Sequence, residues 1–202
     1  MTLEKPYAPS CDRNRNPILA VLREHFAACR HVLEIGSGTG QHAVYFAAAL
    51  PHLTWQTSET IDNLHGLQMW LDDAQLRNTP KPLRLDVNGD WPQQKFDAVF
   101  SANTLHIMSW PEVEKLFERL QAVLEPDSVV AIYGPFNYGG KHTSESNARF
   151  DAMLRERDPR SGLRDIEALI ALGEREYLEK DEDLAMPANN RLLIFKKESS
   201  HA

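Results

Sequence analysis

The stretch Val32-Leu33-Glu34-Ile35-Gly36-Ser37-Gly38-Thr39-Gly40-Gln41-His42 constrains this chain more than any other. An apolar run ends in three glycines at alternate positions, and a helix-forming segment follows, which reads as strand, tight turn, helix. Glycine reaches positive φ and carries no Cβ, so a ligand can lie directly against such a turn. The spacing is G-x-G-x-G, not the G-x-G-x-x-G of dinucleotide sites. No Lys-Ser/Thr pair follows, which excludes a Walker A loop. The competing reading is a turn that serves only chain reversal.

Around this turn the pattern alternates. Helix is predicted from the Asn16-Pro17 cap through Phe26, with strands at 32–35, 54–57, 83–85, 96–101 and 129–133. The intervening helices are predicted at 41–50, 64–74 and 111–124. Parallel strands need crossover connections, so the expected fold is α/β: a doubly wound, Rossmann-like sheet with helices on both faces. After Tyr133 come a Gly/Asn/Ser-rich loop at 137–146, helices at 147–157 and 164–174, and strands at 176–184 and 191–197. The last two strands lack a helix between them and are expected to pair antiparallel at the end of the sheet. One domain over residues 1–202 is expected.

The formal charge is −7, with no basic stripe. The Arg155 to Arg164 cluster is interrupted by Glu156 and Asp158 and reads as a solvated helix face, so no nucleic-acid partner is expected. No apolar run approaches the ~18 to 20 residues that span a bilayer, so no membrane partner is expected either. Nothing resembles a leader, and two cysteines, Cys11 and Cys29, make no disulfide framework; a cytoplasmic setting is expected. The histidines show no metal-ligand spacing, and no metal is expected. Oligomeric state is not legible.

Two acids beyond the turn complete a binding pattern. Glu34, two residues before Gly36, orders the loop or meets a cationic ligand through water, favouring a cofactor with an amino group and a sulfonium. Glu59, after the second strand, is placed to accept from both ribose hydroxyls; otherwise it is a solvated loop carboxylate. Asp86 is placed to accept from an adenine amino group, with Val87 as an apolar wall; otherwise it is a turn aspartate.

With Glu34 to Gly40 as E-x-G-x-G-x-G and acids at Glu59 and Asp86, the chain resembles class I S-adenosylmethionine-dependent methyltransferases. The likeness extends to 96–103 and to Glu125-Pro126-Asp127. It implies S-adenosyl-L-methionine as cofactor, a seven-stranded sheet with its last strand antiparallel, and Asn103 beside the reactive methyl. More narrowly, Asp12-Arg13-Asn14-Arg15-Asn16-Pro17-Ile18, Gly38 to Ala43, Ala102 to Ile107, Tyr133-Gly134-Pro135-Phe136 and Met186 to Asn190 resemble the methyltransferase-like protein 26 family. That family was long catalogued as a domain of unknown function, and it departs here in having aspartate where this chain has Glu59.

On these grounds the cofactor-binding set is Asn14, Glu34, Gly36, Ser37, Gly38, Gly40, Glu59, Asp86, Val87 and Asn103. Methyl transfer to oxygen or nitrogen requires removal of a proton. His106, near the methyl-facing strand end, is the first candidate base; otherwise it caps or packs in its loop. Tyr133 is the second candidate catalytic side chain, or else a core aromatic. The 13–16 segment either folds over the cofactor or is a solvated lead-in. The 139–144 loop offers a lid, with His142 as a further acid-base candidate, or simply leads into a helix. The expected activity is methyl transfer to a small-molecule substrate, with a non-catalytic cofactor-binding protein as the alternative.

Overall fold

The computed structural model describes residues 4–197; both ends of the expected 1–202 domain lie outside the described residues. The elements are α1 (Pro9–His25), β1 (His31–Ile35), α2 (Gln41–Ala49), β2 (Thr54–Glu59), α3 (Leu64–Ala74), β3 (Leu83–Arg84), β4 (Phe96–Ala102) and α4 (Trp110–Val123). Then follow β5 (Leu124–Gly134), β6 (Phe136–Asn137), α5 (Glu145–Arg157), β7 (Arg164–Asp165), α6 (Ile166–Arg175), β8 (Leu178–Met186) and β9 (Asn190–Lys197). Seven strands form one sheet in the order β3-β2-β1-β4-β5-β9-β8. β3, β2, β1, β4 and β5 run parallel, and β9 lies antiparallel between β5 and β8. The doubly wound sheet with its last strand antiparallel is therefore the architecture.

Alternation along the strands sends successive side chains to opposite faces. Leu33, Val99, Val130 and Ile132 pack with Val113, Leu116, Phe117 and Leu120 of α4 and with Leu169 of α6. Val32, Ala98, Phe100, Ala131 and Tyr133 pack on the other face against Ile18 and Leu22 of α1 and Phe46 of α2. Each such fully buried Leu, Ile, Val or Phe is worth about 1.5–3 kcal/mol. Two cores sandwich the sheet. At the start of α4, Ser109 and Glu112 form a capping box, with the Ser109 amide donating to Glu112 Oε2 at 2.7 Å.

Two boundaries differ from expectation in ways that bear on the site. α1 begins at Pro9, not at Pro17, so Pro17 lies inside the helix. Pro9 also meets the first-turn preference for proline, and the apolar face at Ile18, Leu19 and Leu22 holds the helix together across Pro17, whose missing N–H leaves the Arg13 carbonyl without its helical donor. The 13–16 segment is consequently helical and is no lead-in. The predicted helix at 164 begins at Ile166, because Arg164 and Asp165 pair with Phe136 and Asn137 as β7. The solvated-face reading fails for Arg164, which is buried at 8% exposure.

Candidate functional site

Strand order reverses beside β1: the chain builds β2 and β3 on one side, then crosses to β4 and β5 on the other. Side connections diverge there and leave a crevice at the carboxyl ends of the strands. A cavity of about 560 Å³ occupies it, walled by the glycine turn, Glu59, Leu85 to Val87, Ala102 to Thr104, Ile107 and Met108, with Glu112 and Leu116 from α4. Ala8, Ser10 and Cys11 close it from the N-terminal side.

The turn is built by its glycines. Gly36 has φ +71°, and a Cβ there would lie 2.5 Å from Thr104 Oγ1; Gly40, at φ +92°, precedes α2 and would collide with Leu67. Gly38 differs: at φ +56° its missing Cβ would meet nothing within 4 Å, because that side faces the cavity. Glu34 lies beneath the turn at 2% exposure and accepts from Trp55 Nε1 at 3.0 Å and Ser37 Oγ at 3.1 Å. Burial pushes its carboxyl up to about 7. It orders the loop from below and is not part of the cavity wall.

Glu59 grips the same turn from the side. Its Oε2 accepts the Gly38 amide at 2.8 Å, and its Oε1 accepts the Thr60 amide at 2.8 Å. Oε1 also accepts from Thr60 Oγ1 at 3.2 Å, so the second lone pair that stays available for a ligand is on Oε2. Asp86 makes a turn, accepting the Asn88 amide at 2.8 Å, and also lines the cavity beside Val87, so both of its expected roles are compatible. Asn103, in the left-handed region at φ +57°, lines the wall and donates its amide to the Tyr133 carbonyl at 2.9 Å.

Of the expected binding residues, Gly36, Ser37, Gly38, Glu59, Asp86, Val87 and Asn103 line the cavity, whereas Asn14, Glu34 and Gly40 lie behind it. Asn14 is buried in α1, where its Oδ1 accepts from His42 Nε2 at 2.7 Å and its side chain also bonds the Tyr133 hydroxyl. Burial holds His42 down to about 4, with Arg15 reinforcing it, so the ring is neutral and its Nε2–H is the donor. His42 lines the cavity although its sequence pattern does not single it out; its place as the second residue of the helix after the glycines was the available signal.

The two expected catalytic side chains sit outside the cavity wall. Tyr133 is 3% exposed at the end of β5, and burial raises its hydroxyl above the ordinary range. His106 is 6% exposed, its ring edge-to-face with Phe150 at 5.1 Å, and Ile107 beside it lines the cavity. Burial, with Arg164 adding to it, holds His106 down to about 4. His142 is engaged by Asp151, its Nε2 lying 3.2 Å from Oδ2, and does not line the cavity.

Tertiary contact assembles one group that spacing could not show: His25, Asp181 and Glu182 bring ligand-type atoms within 4.8 Å of one another. None of the three lines the cavity. Among the described residues no helix is long and apolar enough to cross a membrane.

Solved structures share this architecture. Mitomycin 7-O-methyltransferase MmcR superposes with a TM-score of 0.82 at 18% identity, over 93% of this chain and 54% of that one. An O-methyltransferase family protein from Burkholderia thailandensis gives 0.81 at 16%, over 92% and 57%. PigF with SAH gives 0.77 at 16%, over 90% and 55%. The chain thus spans little more than half the length of each, and the likeness is one of fold, the Rossmann-like fold of methyltransferases. Residues 5–197, nearly the whole chain, match the family described as a protein of unknown function, DUF938, and the chain belongs to that family.

Proposed function

We propose that this chain binds S-adenosyl-L-methionine in the cavity and transfers its methyl group to a small-molecule acceptor. The observation that carries the reading is the cavity's lining: among the described residues Glu59, Asp86 and Glu112 contribute three carboxylates to the wall, and no Lys or Arg stands in it. Such a surface complements a cationic ligand and opposes a pyrophosphate. The cradle fits as well, since the open side of Gly38 leaves room for a ligand against the backbone. Resemblance to the methyltransferase-like protein 26 family supports the same cofactor.

Gly36 to Gly38 and Asn103 would hold the amino-acid end, Glu59 the ribose hydroxyls, and Asp86 with Val87 the adenine. The bound cofactor supplies an electrophilic methyl on a sulfonium. The chain's own contribution is to align the acceptor at the ends of β4 and β5, to exclude water, and to take the acceptor's proton onto a ring nitrogen of His106. Burial keeps that ring neutral but makes it a weak base, and it stands behind the wall beside Ile107, so it takes the proton only as methylation makes the acceptor atom cationic. The acidic net charge and acidic cavity favour a small molecule over nucleic acid as partner, and the free Cys11 and Cys29 suit a reducing, cytoplasmic setting.

Calorimetric titration with S-adenosylmethionine, S-adenosylhomocysteine and NAD tests the cofactor. Selective micromolar binding of both adenosyl ligands, abolished by Gly38→Arg, is expected. Binding of NAD alone, or of none of the three, would overturn the reading.

A further inference from the structure

Arg164 is a buried cation with no carboxylate oxygen within 4.0 Å among the described residues, Asp151 acting on it only from farther away; its guanidinium is spent on main-chain carbonyls. Nε donates to the Leu105 carbonyl at 3.1 Å, while Nη2 donates to the Met108 carbonyl and, at 3.2 Å, to that of Arg160. Burying a charge in this way is costly unless well-formed hydrogen bonds offset the lost hydration. The two carbonyls at 105 and 108 flank His106 and Ile107. A planar fork that reaches both spans the β4–α4 turn as a rigid brace, which a point charge on a flexible stem cannot do.

The neighbouring residues are committed to the same purpose. Ser161, Gly162, Leu163 and Arg164 are all buried, although they precede and begin only a two-residue strand. The Gly162 amide donates to the His106 carbonyl at 2.9 Å, and the Leu163 amide donates to Asp151 Oδ1 at 2.7 Å. Asp151 belongs to α5, as does Phe150, against which the His106 ring lies. At Gly162, φ is +132° and a Cβ would come within 2.7 Å of both Arg155 and Asp151, so only glycine fits. The 161–164 segment therefore links α5 to the turn that supplies Ile107 and Met108 to the cavity wall.

We infer that Arg164, with Gly162, is a positioning residue: it clamps the Leu105–Met108 turn and so sets the place of the His106 ring and of the cavity wall beside it. This rests on the proposed role of His106 for its catalytic meaning, but the clamp itself is testable without an acceptor. Arg164→Met removes the donors; Arg164→Lys keeps the cation but offers a single nitrogen that cannot bridge both carbonyls.

The experiment compares both variants with the full wild-type chain by thermal denaturation, amide hydrogen exchange, the NMR signals of the His106 ring, and S-adenosylhomocysteine calorimetry. Exchange at residues 105–108 and Gly162 is expected to quicken at least 10-fold beyond any global change in both variants. The ring-current shift that Phe150 imposes on His106 should diminish, and S-adenosylhomocysteine affinity should fall about 3- to 10-fold. Wild-type ring signals and local exchange in Arg164→Lys would overturn the clamp, as would exchange that quickens uniformly over the chain. If Arg164→Met does not fold, Arg164→Lys decides alone. A wild-type chain that binds no S-adenosylhomocysteine defeats the cofactor reading, while the ring signals and exchange still judge the clamp.

Discussion

Glu59 accepts the backbone amide of Gly38 at 2.8 Å, so the acid that ends β2 holds the middle glycine of the turn that follows β1. One carboxylate thereby shapes the cradle and lines the cavity. Glu59→Gln keeps the length but loses the charge and one acceptor oxygen. The expected result is at least a 10-fold loss of S-adenosylhomocysteine affinity by calorimetry, with a stability loss of about 1–3 kcal/mol because the hydrogen bond to a charged group is weakened. Unchanged affinity would remove Glu59 from the site.

The three glycines should respond differently to substitution. Gly38→Ala places its Cβ in open space and costs about 1–2 kcal/mol for the left-handed backbone alone. Gly36→Ala adds a collision with Thr104 and should lower the melting temperature further. Equal losses in thermal denaturation would contradict the difference in surroundings.

Glu34 gives a pH signature. Its folded carboxyl titrates near 7 and its unfolded carboxyl near 4.5, so between those values the folded state holds the extra proton. Its contribution to stability is then lost as pH rises from 4.5 to 7, by an amount on the order of 3 kcal/mol. Denaturant unfolding of Glu34→Gln across that window should lack this descending component.

His42 and His106 work in the opposite direction. Both are held down to about 4, so below 6.5 the unfolded chain takes up protons that the folded chain does not. Stability should fall as pH drops from 6.5 towards 4, and His106→Asn should shallow that limb. In NMR titration neither ring should protonate near 6.5; a His106 midpoint at that value would refute its burial as the controlling cause.

Asn14 joins His42 to Tyr133, and all three are buried. Asn14→Ala leaves two buried polar groups without this partner and should cost about 2–4 kcal/mol, whereas Tyr133→Phe should cost about 1 kcal/mol. A double-mutant cycle is expected to give a coupling of at least 0.5 kcal/mol; strict additivity would deny the network.

Much of this was local enough to be legible in one dimension. The short apolar runs at Phe96 to Ser101 and Val129 to Tyr133 mark strands because a strand covered on both faces has no solvent side for polar residues, and Gly36 to Gly40 mark a tight turn because backbone conformation there is a property of the residues themselves. The cavity wall at Ser37, Glu59, Asp86 and Asn103 was legible for a related reason: ligands of such sheets lie at strand ends, and strand ends can be counted along the chain. Tertiary structure decided the rest. Glu34 took the place beneath the loop, not the wall, because Trp55 and Ser37 reach its carboxylate there. Pro17 was absorbed into α1 because the apolar face packed on the sheet outweighs a missing hydrogen bond. Arg164 reads as one more surface arginine until residues nearly sixty positions away present their carbonyls to it; burial and partnership of a charge depend on contacts between distant segments, and the order of residues does not state them.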